Sequence, residues 1–407
     1  MKTEMIDNKA RYRRAIRLSA MILLLVAASS QLRADTGTCN GAPVNLPFTD
    51  VMGSAFFCQI AQAYFSGLTV GTSATTYSPT NPVPREEMAA FITRTMDQSL
   101  KRGSRRAVAK KWFTPQTANS LTLTNVGTSP QQVEFDGTDL WVTNYLSHSV
   151  MRIRPSDGKV LDTWTGATNA NGIVCAMGRI FVTGFGNPGR LYMIDPTQPA
   201  GAVTTVSTAL GNASRSIAFD GLRLWTANDS GSVSIVTLNP TSVTTVSTGF
   251  LKPYGLLYDG SHIWVTDITA NTLLKLNTDG SIAQTINVGS GPVFPVFDGT
   301  NIWVPNYGSS SATVVRVKDA QGNPLASAFV LATLTGNGLN GPETFAFDGE
   351  RVLVTNGSGH SVSLWKAADL APLGSFPTGA GTTPVFTCSD GLNFWITLAT
   401  TNKLARF

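Results

Sequence analysis

Histidine, cysteine and charge are all scarce in this chain. Its 407 residues include three histidines, four cysteines and only 14% Asp, Glu, Lys and Arg. So thin a supply of imidazole and thiol excludes the dense ligand spacing of metal-binding arrays. No His-Glu-x-x-His, Cys-x-x-Cys, Gly-x-Ser-x-Gly or phosphate-loop pattern occurs either. Long apolar runs are missing: the stretch Leu18 to Ala28 falls short of the roughly 20 residues a membrane span needs. From residue 119 onward convincing long helices are absent, and Val, Thr, Ser, Gly and Asn dominate. The formal charge of +5 is concentrated at one end. Residues 1–34 hold seven Lys/Arg and two Asp/Glu, which leaves 23 of each sign in the rest. A neutral remainder argues against nucleic acid as a partner.

What is present begins with export. Lys2, Lys9, Arg11, Arg13, Arg14 and Arg17 precede the apolar run, and small and polar residues lead on to Ala34. A basic start, a short apolar stretch and a small terminal residue make residues 1–34 a secretory signal. The mature chain would then have no stable transmembrane span, whereas an uncleaved signal would be an anchor. The pair Arg13-Arg14 hints at twin-arginine export, although Arg17 interrupts the expected apolar run. An even number of cysteines in an exported chain permits disulfides. Cys39 and Cys58 would close a loop of about 20 residues, worth roughly 3 kcal/mol. Cys175 and Cys388 lie far apart and read as buried thiols. Residues 99–118 form a basic linker around "KRGSRRAVAKK", either a solvated connection or a patch for an anionic polymer.

Residues 43–98 form a small helical module. Between Ser54 and Phe65 the apolar positions Phe56, Phe57, Ile60, Ala61 and Tyr64 follow helical spacing, and Gly67 stops the run. "TTYSPTNP" is loop chemistry. Pro84 suits a first helical position, Glu86 and Glu87 complement the helix dipole, and Met88, Phe91, Ile92 and Thr95 predict a second inner face. The ordered set "FTDV", "GLTVG", "YSP" and "PVPREEMAAFITR" resembles the surface-layer homology (SLH) module. In that family a Thr-Arg-Ala-Glu tetrad before the second helix helps bind a cell-wall glycan. The matching residues here are Pro84, Arg85, Glu86 and Glu87, so the resemblance implies envelope polysaccharide binding through Arg85, Glu86 and Glu87. Proline replaces the tetrad's threonine, and the modules commonly come in threes where this chain has one. A purely structural helical hairpin is the alternative.

From residue 119 a phrase repeats. "FDGTDLWVTN" (135–144), "CAMGRIFVTG" (175–184), "FDGLRLWTAN" (219–228), "YDGSHIWVTD" (258–267), "FDGTNIWVPN" (297–306), "FDGERVLVTN" (347–356) and "SDGLNFWITL" (389–398) are seven copies roughly 40 residues apart. Four strands per unit at that period predict a mainly β fold, a seven-bladed β-propeller over residues 119–407. "TTNKLARF" ends the chain one strand short, and "NSLTLTNVGTSP" supplies an unmatched strand before the first copy, so residues 119–130 are expected to latch the ring shut. Trp141, Trp225, Trp264, Trp303 and Trp395 occupy equivalent places as interblade core. Asp136, Asp220, Asp259, Asp298, Asp348 and Asp390 precede glycine as turn formers. "WVTN" with "VGSGP" resembles YVTN-type and NHL-like propeller repeats of microbial surface proteins, a likeness that implies fold more than function.

Convergent catalytic chemistry is hard to find. His148 and His360 fall at the same repeat position, where other blades carry Asn or Ser. Streptogramin B lyase, a propeller family with similar phrases, uses a histidine in a Pro-His-Gly context where inner strands begin, with a magnesium-dependent site. Tyr254 in "KPYGLLY" stands there instead, so that base is missing. The reading is of a non-catalytic exported envelope protein that needs no cofactor and no metal, with an extracytoplasmic lyase or hydrolase as the rival. A binding face for a glycan or protein is expected at the strand ends Asn144, Asn228, Asp267, Asn306 and Asn356, together with Gln131, Arg215, Tyr254 and Glu343 near the channel mouth. The asparagines could equally serve their own turns.

Overall fold

The computed structural model describes residues 34–39, 42–65, 69–85, 87–89, 91–92 and 121–407. The signal (1–34, save its last residue), the basic linker 99–118 and Glu86 lie outside them. The described residues fall into two units, before and after residue 103.

The N-terminal unit pairs the strands Asp35–Cys39 and Ala42–Leu46 as an antiparallel hairpin, which the sequence did not signal. The helix Phe57–Phe65 packs beside it and buries Phe57, Ile60 and Ala61. Cys39 and Cys58 are disulfide-bonded, tying hairpin to helix as the cysteine pattern implied. Asp50 of "FTDV" accepts the backbone N–H groups of Tyr77 and Ser78 in the "YSP" loop at 2.7–3.1 Å, so those two quoted motifs meet. Two expectations fail. Phe56 is 66% exposed, because the helix begins one residue later and turns that ring outward. Met88 and Ile92, assigned to an inner face, are 49% and 55% exposed.

Residues 121–407 form seven four-stranded antiparallel blades. Blade one comprises Pro130–Phe135, Leu140–Asn144, Ser149–Ile153 and Val160–Thr165. Blades two to six follow over 170–210, 214–246, 253–287, 296–334 and 342–377. Blade seven begins with Pro384–Ser389, Phe394–Leu398 and Lys403–Arg406, and its fourth strand is the latch Thr122–Asn125. Thr122 lies opposite Arg406 and Asn125 opposite Lys403, so the strand that precedes blade one covers an edge that would otherwise stay open.

Why the blades pack follows from the second strand of each. Trp141 sits among Ile173, Ile180 and Val182 of blade two. Trp225, Trp264, Trp303 and Trp395 each face the next blade in the same way. All five are 0–1% exposed, and a buried indole of this size is worth roughly 3–5 kcal/mol against alanine.

Hydroxyls stitch the blades at the same level. Thr143 Oγ1 donates to the Asn171 carbonyl at 2.7 Å, Thr266 to Val293 at 2.7 Å and Thr355 to Val385 at 2.9 Å. Thr397 donates to Gln131 at 2.7 Å and so bonds blade seven to blade one.

Candidate functional site

The second strands end at Asn144, Asn228, Asp267, Asn306 and Asn356, all on one face of the ring. All five side chains are fully buried, which corrects their assignment to a binding surface. The reason is a local hydrogen-bond network. Asn228 Nδ2 donates to Ser232 at 3.1 Å and Ser234 at 2.9 Å. Asn306 uses Ser311 and Thr313, Asn356 uses Ser361 and Ser363, and Asn144 uses Ser149. Asp267 accepts four backbone N–H groups, from Leu251, Lys252, Thr269 and Ala270. Groups this committed hold loops together, and the two atoms left without a partner, Asn144 Oδ1 and Asn306 Oδ1, are themselves buried.

Gln131, Arg215, Tyr254 and Glu343 behave differently. They occupy one repeated position on four innermost strands, one residue after the position paired with the second-strand end, so they share a level. None is fully buried. Arg215 is held from two sides: its guanidinium lies 4.5 Å from the Tyr254 ring centre and 4.9 Å from that of Phe185. Its Nη2 is 2.9 Å from Asp229, whose other oxygen is 3.1 Å from Lys252. Arg215 Nε is buried with no hydrogen-bond partner. Gln131 Nε2 donates to Ser129.

An aromatic floor lies beside these groups. The ring of Tyr254 is 5.1 Å from Phe294, and Phe294 is 5.0 Å from Phe386. These residues come from blades four, five and seven, so their rings meet across the inner edge of blade six. Pro295 breaks the inner strand of blade five, leaving only Val296–Phe297 regular, and the Phe294 N–H turns to the Glu343 carbonyl at 3.3 Å. That irregularity places Phe294 beside Glu343. Where Phe294 and Phe386 stand, the other blades carry Gln132, Gly172, Ser216, Gly255 and Thr344, so only these two can fill the axis with a ring.

Burial pushes the Glu343 carboxyl up to about 7, although Arg215 favours its ionised form. Burial also raises the Tyr254 phenol. A second displaced carboxyl, Glu134, lies toward the other end of the inner strands, and burial takes it to about 7 as well. Its charge, after burial itself, helps hold the Cys175 and Cys388 thiols above their usual range. Both thiols are free and half-buried, close to their expected place in the core.

Two of the histidines have structural partners, whereas His262 Nδ1 is buried without one. His148 Nδ1 accepts the Asn169 N–H at 3.0 Å, and His360 Nδ1 accepts the Thr383 N–H at 3.3 Å. Asn271 and Asn402 do the same for Gly291 and Ser129 at the equivalent place. In the N-terminal unit Arg85 and Glu87 are exposed. No group of three or more His, Cys, Asp or Glu able to hold a metal occurs among the described residues. No helix among them is long and apolar enough to cross a membrane.

What the sequence reading missed was Phe185, Asp229, Phe294 and Phe386. The last two carried a signal, a bulky aromatic at a position where five blades have Gln, Gly, Ser or Thr.

No family model matches the chain, and no curated protein does. Among solved structures it is similar to a streptogramin B lyase at 12% identity and TM-score 0.56, covering 72% of this chain and 99% of that one. A selenomethionine-substituted virginiamycin B lyase from Staphylococcus aureus matches at 15% identity and TM-score 0.56, over 70% of this chain and 98% of the lyase. The WD40 propeller domain of Doa1 matches at 10% and 0.58, over 72% and 97%. At such identities the likeness shows the fold alone, a seven-bladed β-propeller.

Proposed function

We propose that this is an exported envelope protein whose propeller is a non-catalytic binding platform for a glycan, with the ligand seated at the mouth built by Arg215, Tyr254 and Glu343. The observation that carries the reading is Arg215, clamped between Phe185 and Tyr254 and paired with Asp229 beside a desolvated carboxyl. Side chains from blades two to six converge there, above an aromatic floor. A few convergent polar groups over apolar lining are the usual composition of a ligand site. Export accords with the Cys39–Cys58 bond, which forms in oxidising compartments. The N-terminal unit then holds the chain to envelope polysaccharide through Arg85, Glu86 and Glu87.

A lyase of the kind seen among the structural neighbours is disfavoured by Tyr254. It takes the place expected of the family's histidine, and its ring is packed between Arg215 and Phe294.

Cosedimentation with purified envelope polysaccharide tests both halves. Residues 35–407 should pellet, an Arg85→Ala, Glu87→Ala variant should stay soluble, and Arg215→Met should pellet yet fail to bind soluble glycan fragments. Pelleting unchanged by the first variant removes the anchor. Fragment binding unchanged by Arg215→Met removes the mouth as the site, and turnover of a streptogramin would replace the platform with an enzyme.

A further inference from the structure

The unused bonding capacity of the mouth is specific. The Arg215 guanidinium lies against two aromatic rings, 4.9 Å from the centre of Phe185 and 4.5 Å from that of Tyr254. Asp229 takes Nη2, while Nε stays buried and unpartnered. An arginine N–H without a protein partner suits an oxyanion. Glu343 supplies the other wall. Arg215 feels its charge, yet the ion pair of Arg215 is with Asp229 and not with Glu343. Arg215 and Glu343 therefore influence each other without forming an ion pair, and no protein hydrogen bond engages the Glu343 carboxyl among the described residues. Gly357 backs that carboxyl, and a Cβ there would meet Glu343 Oε1 at 3.1 Å, so a glycine keeps the wall free to adjust.

Resting on the reading of the mouth as a glycan site, we propose that it recognises a sugar acid, a hexuronate unit whose carboxylate bridges Arg215 and the Glu343 carboxyl. A pyranose ring presents a flat C–H face as well as its acid group, and the half-buried ring of Phe386, braced edge-to-face by the buried Phe294, offers an apolar surface to that face. Tyr307 Oη and Ser358 Oγ, 3.2 Å apart and exposed beside Glu343, offer partners for ring hydroxyls.

Protonation of Glu343 is what makes two carboxyl groups compatible. Arg215 acts on it directly, and Tyr254 lies within reach of its charge together with Arg215, Asp229 and Tyr307. Arg215 is the cation that acts on Glu343, and it shares Asp229 with Lys252. With its titration raised to about 7, Glu343 keeps a proton in mild acid and donates it to the ligand's second oxygen. Ionised, it repels the ligand. Affinity is therefore full below about pH 7 and is lost as pH rises through that value. A group titrating there is mostly protonated at pH 6 and mostly ionised at pH 8, which makes the loss about ten-fold between them.

Calorimetric titration of residues 35–407 with trigalacturonate, and with its neutral methyl ester, tests this. The acid should bind about ten-fold more weakly at pH 8 than at pH 6. Glu343→Gln, which keeps a donor that cannot ionise, should hold the pH 6 affinity and flatten the profile. The ester should bind at least ten-fold more weakly than the acid at pH 6. Equal binding of acid and ester overturns the inference and leaves the glycan reading standing. A pH slope that survives in folded Glu343→Gln also overturns it. If neither sugar binds and an acidic dipeptide does, both readings fall together.

Discussion

Five blades solve one packing problem alike, and two solve it differently. In blades one, three, four, five and seven, the aspartate of the Asp-Gly turn does two things. One oxygen accepts the next backbone N–H groups and fixes the turn, as Asp259 does for Ser261 and His262 at 2.7 Å. The other accepts the indole N–H five residues on, at 2.7–2.8 Å in all five. A tryptophan can thus be fully buried with its polar atom satisfied. Blade two lacks both partners. Ala176 and Phe181 stand there, and the turn closes as a two-residue hairpin through Met177 and Gly178, with φ of 51° and 68°. Blade six keeps Asp348 but has Leu353 in place of tryptophan, and Arg351 Nε donates to the carboxylate at 2.9 Å with both side chains almost wholly buried. Carboxylate and indole are kept or dropped together, unless a cation takes the indole's part. What never changes is a bulky apolar residue facing the next blade: Phe181 against Ile217 and Leu224, Leu353 against Phe394 and Ile396.

The sharpest break of this comparison is in blade six. Arg351→Leu removes the cation that neutralises Asp348, and breaking a buried pair from one side costs roughly 3–5 kcal/mol. Urea unfolding should show a loss of that size, and adding Asp348→Asn should restore much of it. A loss below about 1 kcal/mol would mean that the arginine is not the indole's substitute.

A smaller effect is expected where blade four is made to resemble blade two. Trp264→Phe keeps the ring and deletes the N–H, leaving an oxygen of Asp259, itself 2% exposed, short of a donor. That should cost about 1–3 kcal/mol. In Asp259→Ala the same change should cost less, with a coupling of about 1–2 kcal/mol in the double-mutant cycle. Additive losses would show that turn and indole are independent.

The ring was legible in the sequence because every blade faces the same wedge, so the same residue types return at the same spacing. The latch was legible from strand count alone. Side-chain direction at the strand ends was not. Asn228 and Asn306 read as exposed because they end strands, yet the serines and threonines four to seven residues later turn them inward. That spacing was present at Ser232, Ser234, Ser311 and Thr313 and could have been used. Phe294 depends on a proline-broken strand, whose local geometry no repeat average predicts. In the N-terminal unit the helical period placed Phe57, Ile60 and Ala61 correctly, but Phe56 stands one residue before the helix starts and so escapes its buried stripe.

The smallest predicted effect concerns the histidines, and it separates a shared backbone role from chemistry. His148 and His360 adopt left-handed backbone, φ 50° and 48°, as do Asn271, Ser310 and Asn402 at the matching place in other blades. Each offers an acceptor to an N–H of the following blade: Asn169, Thr383, Gly291, Gly341 and Ser129 respectively for His148, His360, Asn271, Ser310 and Asn402. Asparagine tolerates this conformation and carries the acceptor, so His148→Asn and His360→Asn should change stability by no more than about 0.5 kcal/mol. Alanine keeps neither advantage and should cost about 1 kcal/mol more. Ligand binding at the mouth should be unaltered by the asparagine variants. Should either one abolish binding while the fold is intact, that imidazole belongs to the ligand site, and its likeness to Asn271 and Asn402 would extend to the backbone alone.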